Sequence, residues 1–311
     1  MNAPARILVI KLGALGDILL AEGAFRDIRT RHPDARISIL TRRPFKSLLV
    51  HCPWVDEALV DDNRPRWRLD AMWKLRKLLR ARRFDLVYDL QNSRRSAFYL
   101  RTLLGNRVPS AGMPPKRLVP PNKHLPVLER HARQLVAAGT PVTHTPHPGA
   151  DWMVTEVGEL LAANGIRPPY VVLLPGSSAR GAAKRWPHYA ELATRLHERG
   201  LMPVTVPGPD ELDQFDHLPG VSLRTAEGRA LDLFALAGVL RHASAVVGND
   251  SGPTHLAANL NVPGIALFGT DARQAERTRL GRGRMRTLVA PGFDGLDAEA
   301  VESELLETLA R

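Results

Sequence analysis

The chain has 311 residues, 44% of them hydrophobic. This length suits one large α/β domain or two smaller ones, and we favour two. No apolar run approaches the roughly 20 residues that cross a bilayer, which argues against a membrane-spanning protein. Its single cysteine, Cys52, excludes an internal disulfide and a cysteine-rich metal site. The net charge of +11 is divided unevenly, because residues 1–135 carry 27 Lys and Arg against 12 Asp and Glu, whereas residues 136–311 carry 16 against 20.

A basic first half indicates a polyanionic partner, which the charge alone leaves open as nucleic acid, an acidic membrane surface or a phosphorylated glycolipid. Residues 1–10 lack the basic segment and long apolar core that are typical of a signal peptide, so we expect a cytoplasmic protein. We place the first domain at residues 1–150 and the second at residues 151–311, with a proline-containing linker at 140–150.

The first domain opens with an apolar strand at residues 6–10, followed by a glycine-containing turn and a helical pattern. Further apolar segments predict strands at residues 36–40, 57–60 and 84–89. Strands that alternate with helices favour a doubly wound parallel sheet, which binds its ligands at the carboxyl ends of the strands.

A basic amphipathic helix is predicted at residues 67–84, where Met72, Leu75 and Leu79 recur at helical spacing among lysines and arginines. Two interpretations stay open: a helix that covers the sheet and turns a solvated basic side outward, or a helix that lies on an acidic membrane surface. Residues 105–126 interleave six prolines with basic residues and predict a loop, which is either inert or suited to a phosphorylated acceptor.

The alternation starts again in the second domain. A helix is predicted at residues 151–164, a strand at 170–174, a loop that runs to Pro187, a helix at 188–199 and a strand at 202–206. A helix at 231–241 leads into an apolar run at Val246 and the turn after it, and a strand at 264–269 follows. For the last helix, at 297–310, we allow packing back across the first domain.

The first candidate site is the turn after the opening strand. Gly13 and Gly16 would let the backbone approach a ligand closely, and Asp17 is either a helix cap or a general base for an acceptor hydroxyl. The turn is not the G-x-G-x-x-G dinucleotide fingerprint, and no acidic residue follows a second strand at the ribose position. A nicotinamide-dependent dehydrogenase is therefore disfavoured.

The second and third candidate sites follow strands of the second domain. Ser177 and Ser178 could cradle phosphate oxygens, and Lys184 on the same loop could neutralise a departing diphosphate or be a solvated lysine. The turn after Val246 starts a helix, where free N–H groups and the helix dipole favour an anion. Here Asp250 or Ser251 could cap the helix, and the other candidates are Gly252 and His255.

No Asp-x-Asp pair and no compelling histidine pair for zinc occurs, so we expect no tightly held catalytic metal. The segments KLGALGDIL at residues 11–19, LPGSSARGAAKRWP at 174–187 and GNDSGPTHLA at 248–257, in this order, resemble the bacterial heptosyltransferases of glycosyltransferase family 9. The resemblance spans nearly the whole chain. It implies the GT-B fold, in which two Rossmann-like domains, each a doubly wound parallel sheet, face a central cleft.

The resemblance further implies an inverting, metal-independent glycosyltransferase that takes heptose from ADP-heptose, needs no cofactor, and adds the sugar to the inner core of lipopolysaccharide. Asp17 would match the catalytic base and Lys184 the diphosphate-binding lysine. The phosphate loop would include Ser177 and Ser178, the ADP-binding turn would hold Asp250, Ser251, Gly252 and His255, and Leu231 would lie near the adenine.

The sequence departs from relatives in two places: residues 21–23 lack an expected proline, and so does the segment at 270–273. A GT-B transferase with another nucleotide sugar or acceptor, or an idle nucleotide-sugar-binding module, therefore stays open. The expected partners are a nucleotide-sugar donor and a phosphorylated lipid or lipopolysaccharide acceptor, with peripheral contact at the cytoplasmic face of the inner membrane. No nucleic-acid partner is expected, because no recognition motif accompanies the basic residues.

Overall fold

The computed structural model describes residues 5–105, 108–111, 125–176, 184–270, 272–278 and 280–310. The chain divides into two compact units, Met1–Pro148 and Gly149–Arg311. Each unit is an α/β domain built on its own parallel sheet. Among the described residues, no helix is both long and apolar enough to cross a membrane.

The first unit holds a four-stranded sheet. Its strands are β1 (Arg6–Ile10), β2 (Arg36–Arg42), β3 (Glu57–Asp61) and β4 (Leu86–Asp89), in the spatial order β3-β2-β1-β4. All pairs are parallel. After the exposed Arg6, β1 is apolar and buried, as expected for a parallel sheet that helices cover on both faces. The helices are α1 (Leu15–Leu19), α2 (Glu22–Arg31), α3 (Lys46–Val50), α4 (Leu69–Ala81), α5 (Arg94–Phe98) and α6 (Val127–Ala137).

The second unit holds a six-stranded sheet. Its strands are β5 (Tyr170–Leu174), β6 (Met202–Thr205), β7 (Val221–Ser222), β8 (Ala245–Asn249), β9 (Gly264–Phe268) and β10 (Met285–Val289). They lie in the order β10-β9-β8-β5-β6-β7, all parallel, which is the 3-2-1-4-5-6 order of a dinucleotide-binding sheet. The helices are α7 (Gly158–Ala163), α8 (Tyr189–Glu198), α9 (Leu233–His242), α10 (Gly252–Asn259), α11 (Ala272–Thr278) and α12 (Ala298–Leu309).

The predicted helix at residues 151–164 is wrong in its first half. A single 3-10 turn spans Asp151–Met153, and α7 begins only at Gly158. Between them Val154 is extended. The Thr155 carbonyl and the Val157 side chain pack against α9 at Gly238, where a β-carbon would collide with both. Two causes explain the break between the 3-10 turn and α7: the β-branched side chains of this segment favour extended backbone, and the segment packs closely on α9.

Two other predicted helices are confirmed with shorter bounds. The basic helix predicted at 67–84 is α4, and its buried side chains are the predicted Met72, Leu75 and Leu79. The last helix, α12, starts after Asp297, whose side chain accepts a hydrogen bond from the Ala300 N–H. Its apolar face joins the second unit's core, against α8, β8 and β9.

Part of the predicted linker at 140–150 packs against α2 and is hydrogen-bonded to it. Asp27 is buried, and its carboxylate accepts hydrogen bonds from the backbone N–H groups of residues 143–145 and from the Thr145 hydroxyl. Gly23 lies directly beneath the His144 carbonyl, where a β-carbon would overlap it. This close approach explains why a glycine stands at position 23.

Candidate functional site

The two loops that were predicted to bind phosphate leave adjacent strands of the second unit. β5 pairs with β8, and the order of the sheet reverses between these two strands. In an open α/β sheet, ligands bind outside the carboxyl ends of the strands at this reversal point. The chain leaves β5 at Pro175 and β8 at Asp250, so both loops open at that place.

Asn249, the last residue of β8, joins these two loops. Its side chain is fully buried; Nδ2 donates to the Pro175 carbonyl at 2.8 Å, and Oδ1 accepts from the Trp186 N–H at 3.1 Å and from the Tyr189 hydroxyl at 3.3 Å. Trp186 in turn donates from its indole to the Leu296 carbonyl at 2.7 Å. Asn249 was not among the predicted site residues, although it stands directly before Asp250.

The turn after β8 is packed too closely for larger residues. The Thr254 hydroxyl donates to the Asn249 carbonyl at 2.6 Å and lies against Gly248, where a β-carbon would overlap it. Ser251 occupies the N-cap position of α10, but its hydroxyl contacts that of Thr254 at 3.0 Å, and no described side chain caps the helix. The N–H groups of the first turn, including that of Gly252, therefore have no partner inside the helix and suit an anion.

Lys184, Asp250 and His255 meet at this turn. The Lys184 ammonium donates to Asp250 Oδ2 at 2.6 Å, and His255 Nε2 lies 3.9 Å from Asp250 Oδ1. Burial, helped by the charges of Arg282 and Lys184, lowers the pKa of His255 to about 3. The imidazole is therefore neutral at physiological pH, and its contact with Asp250 is not an ion pair. Its Nδ1 atom is buried without a hydrogen-bond partner among the described residues.

A second ion pair that sequence reasoning missed borders the same loop. The Arg185 guanidinium donates to Glu211 Oε1 at 2.7 Å, and the side chain of Glu211, which follows β6, is only 12% exposed. This carboxylate lies where a β-carbon of Gly176 would be, so only glycine leaves room for it. The proline and glycine before Glu211 signalled a turn after β6, but nothing in the spacing indicated that its carboxylate reaches the loop after β5.

Leu231 lies at the same edge of the sheet. It is half-buried and precedes Asp232, whose carboxylate caps α9 by accepting hydrogen bonds from the N–H groups of Phe234 and Ala235. Because a helix that follows a parallel strand starts at the carboxyl edge of the sheet, Leu231 lies on the same side as the two loops. Ser177 and Ser178 lie outside the described residues.

The remaining predicted residues belong to the first unit, at the turn between β1 and α1. Gly13 has a φ of 108°, which L side chains rarely adopt, and a β-carbon there would collide with the ring of Phe45. Gly16 and Asp17 lie in the first turn of α1, and both are half-buried. Asp17 thus stands at the carboxyl end of β1, next to the point where this sheet reverses between β1 and β4.

Two buried charged residues that were not predicted, Lys11 and Asp89, stand at the carboxyl ends of the paired strands β1 and β4. The Lys11 ammonium is buried and donates to the Leu90 carbonyl at 3.3 Å; burial lowers its pKa, and the charges of Asp17 and Asp89 oppose this shift. Burial raises the pKa of Asp89 to about 6, although its Oδ1 accepts from the N–H groups of Gln91 and Asn92. Lys11 therefore brings a positive charge close to the Asp17 carboxylate.

No group of three or more His, Cys, Asp or Glu side chains is placed to hold a metal ion in the part of the chain that the structure describes.

The chain is similar in sequence to known heptosyltransferases. The sequence model of glycosyltransferase family 9 (heptosyltransferase) matches residues 72–282. Lipopolysaccharide heptosyltransferase 1 of Pseudomonas aeruginosa is 30% identical, over 85% of this chain and 78% of that protein. Lipopolysaccharide heptosyltransferase 2 of Escherichia coli K12 is 28% identical, over 85% of this chain and 82% of that protein.

Solved structures share the fold. The ADP-heptose LPS heptosyltransferase II of E. coli superposes with a TM-score of 0.75 at 24% identity, covering 98% of both chains. A family 9 glycosyl transferase from Veillonella parvula gives a TM-score of 0.78 at 18% identity, covering 100% of this chain and 99% of that one. The GT-B fold is therefore confirmed.

Proposed function

Because the chain belongs to glycosyltransferase family 9 and is a glycosyltransferase, we propose that it transfers heptose from ADP-heptose to the inner core of lipopolysaccharide. The observation that carries this proposal is the cluster of Lys184, Asp250 and the start of α10 at the reversal point of the second sheet. The relatives whose names specify lipopolysaccharide heptosyltransferases, and a solved structure named for ADP-heptose, support the donor and the acceptor class.

The second unit would hold the donor. Lys184 and the N-terminal N–H groups of α10 would bind the diphosphate, and they would stabilise the negative charge that grows on it as the glycosidic bond to phosphate breaks. In this proposal Ser177 and Ser178 complete the phosphate loop, and Leu231 contacts the adenine. Glu211 offers a carboxylate beside the same loop, which suits the hydroxyl groups of a sugar.

The first unit would hold the acceptor. An acceptor hydroxyl attacks the anomeric carbon, its proton passes to the Asp17 carboxylate, and the electron pair of the breaking C–O bond leaves with the β-phosphate of ADP. Attack on the face opposite the leaving group inverts the anomeric carbon. The buried Lys11 side chain, whose charge interacts with that of Asp17, would help to position this carboxylate at the turn after β1.

The proposal includes catalysis without a metal ion, since Lys184 and the α10 N-terminus supply positive charge at the diphosphate. It also places the enzyme at the cytoplasmic face of the inner membrane, because an acceptor anchored in lipid is met at a membrane surface. The 27 Lys and Arg of residues 1–135 fit the phosphates and acidic sugars of such an acceptor.

A transfer assay tests the reaction. The purified protein is incubated with ADP-heptose and a series of heptose-deficient inner-core acceptors, and products are read by mass spectrometry for the mass of one added heptose. UDP- and GDP-sugars serve as competing donors. Transfer from ADP-heptose alone is expected; transfer only from another nucleotide sugar would replace the donor, and ADP binding without transfer to any acceptor would favour the idle binding module.

A further inference from the structure

Helix α4 of the first unit and the residues just before it expose large apolar side chains. Trp67 is 75% exposed, Leu69 77% and Trp73 62%. Six large hydrophobic side chains are exposed among the described residues, and three of the six fall in this seven-residue stretch. Single exposed apolar residues are ordinary, but two tryptophans and a leucine together indicate a surface that meets a partner.

The geometry of α4 separates this surface from the core. Met72, Leu75 and Leu79 point into the unit and bury one side of the helix. Leu69 and Trp73 are one turn apart, and Arg76 and Lys77 continue the same flank at the next turn. The Lys77 ammonium lies 5.4 Å from the centre of the Trp73 ring, so the apolar and basic groups of this flank are in contact.

The net charge of the segment is strongly positive. Residues 64–83 hold nine Lys and Arg and a single acidic residue, Asp70, which pairs with Arg68 at 3.1 Å. Two of the nine are engaged within the fold: Arg80 donates to the Leu103 carbonyl, and Arg82 pairs with Glu57. Lys74, Arg76 and Lys77 are exposed on α4 itself.

We propose that this surface, the α4 face formed by Trp67, Leu69, Trp73, Lys74, Arg76 and Lys77, docks onto an anionic lipid bilayer. Tryptophan is stabilised at the boundary between headgroups and acyl chains, and the exposed leucine needs an apolar partner. Lysines and arginines around them are attracted by the negative potential of an anionic leaflet. A bilayer surface supplies all three environments at once.

Nucleic acid fits this surface less well. It would attract the lysines and arginines and stack on tryptophan, but its polar backbone offers nothing to Leu69, which is the most exposed of the three apolar side chains. A continuous anionic surface also matches a helix flank whose exposed charges are nearly all positive, with Asp70 as the one acidic side chain among them.

This inference deepens the membrane part of the proposed function, and its test is independent of sugar transfer. The full chain is mixed with vesicles of phosphatidylglycerol and phosphatidylethanolamine, or of phosphatidylcholine alone, with no acceptor present, and bound protein is measured by flotation. Binding is expected on the anionic vesicles, with a blue shift of tryptophan emission, and at least about tenfold less on the neutral ones.

Two variants separate the apolar from the basic contribution. W67S/L69S/W73S is expected to lose the blue shift and about tenfold or more of the vesicle affinity, since it removes the inserted side chains. K74Q/R76Q/K77Q is expected to lose the preference for anionic lipid. Both alter exposed positions, and an unchanged circular dichroism spectrum and melting temperature confirm that they fold.

Matched controls change exposed residues elsewhere. V136S removes an exposed apolar side chain from α6, and R31Q/K46Q/R101Q removes three exposed positive charges from the same unit. Both are expected to bind vesicles like the parent protein. Vesicle binding that is absent in the parent, or equal in the parent and the α4 variants, overturns the proposal. If the parent protein binds RNA but not anionic vesicles, and the α4 variants lose RNA binding, the α4 face is assigned to nucleic acid instead.

Failure of vesicle docking can be distinguished from failure of heptose transfer. If the parent binds anionic vesicles but transfers no heptose, the α4 face stands and the proposed reaction fails. If the α4 variants lose vesicle binding yet transfer heptose normally to a detergent-dispersed acceptor, both the reaction and the separate docking surface are supported.

Discussion

The Lys184 ammonium donates a 2.6 Å hydrogen bond to Asp250 Oδ2, which ties the loop after β5 to the turn after β8. Lys184 remains 37% exposed, whereas the Asp250 side chain is only 10% exposed. Asp250 thus fixes the position of a cation that still reaches solvent. A diphosphate bound at the start of α10 would share this ammonium with Asp250.

Replacing Lys184 by alanine is therefore expected to weaken ADP binding about 10- to 100-fold, the range for a lost hydrogen bond between charged groups. Isothermal titration calorimetry measures the change. The matched control is Lys46→Ala, which removes an exposed lysine from the first unit and should leave ADP affinity unchanged. Equal affinity in Lys184→Ala and the parent protein would remove Lys184 from the site.

Asn249→Ala is expected to loosen both loops. The substitution leaves the Pro175 carbonyl and the Trp186 N–H without their buried partner, at a cost of about 2–4 kcal/mol in the free energy of unfolding. Calorimetry should show an earlier unfolding transition together with weaker ADP binding. Asn164→Ala removes one hydrogen bond at a half-buried helix end and should cost much less. Similar losses in the two variants would contradict the joining role of Asn249.

His255 predicts a pH dependence of stability. An unfolded histidine gains a proton below about pH 6.5, whereas burial holds the folded pKa near 3. The neutral, buried imidazole therefore stabilises the fold fully above pH 6.5, and this contribution is lost as the pH falls toward 3. At pH 5 the loss in the free energy of unfolding is about 2 kcal/mol.

Unfolding of His255→Gln should consequently depend less on pH between 6.5 and 4 than unfolding of the parent protein. Denaturant titrations at pH 7, 6, 5 and 4.5 measure the slopes. His147→Gln, at an exposed position, should keep the parental slope. A His255→Gln profile parallel to that of the parent would show that the imidazole titrates normally.

Removal of divalent metal should leave transfer intact. The proposed mechanism places only Lys184 and backbone N–H groups at the leaving diphosphate. Rates measured after dialysis against EDTA, with and without added Mg²⁺ or Fe²⁺, are expected to agree within about twofold. A rate that disappears with chelation and returns with one ion would assign the diphosphate to a metal.

The sequence was sufficient for the parallel sheets, because buried strands such as β1 and β5 are short apolar runs, each followed by a glycine-containing turn. It also indicated Lys184 and Asp250, since each lies in a loop or turn that follows a predicted strand of the second domain. Asn249 and Glu211 were missed because their roles depend on contacts across loops, which spacing along the chain does not encode. The break at Val154 was missed because branched side chains disfavour a helix only slightly, and the packing on α9 that completes the break is not visible in the sequence.

In the proposed mechanism, Asp17 is the base of a transfer reaction whose donor binds elsewhere in the chain. Initial rates of heptose transfer and calorimetric ADP affinities are measured side by side for the parent protein, Asp17→Asn and the exposed control Asp34→Asn. We expect Asp17→Asn to lose about 10²-fold or more of the rate with unchanged ADP affinity, and Asp34→Asn to match the parent. A parental rate in Asp17→Asn would contradict the assignment of Asp17 as the base.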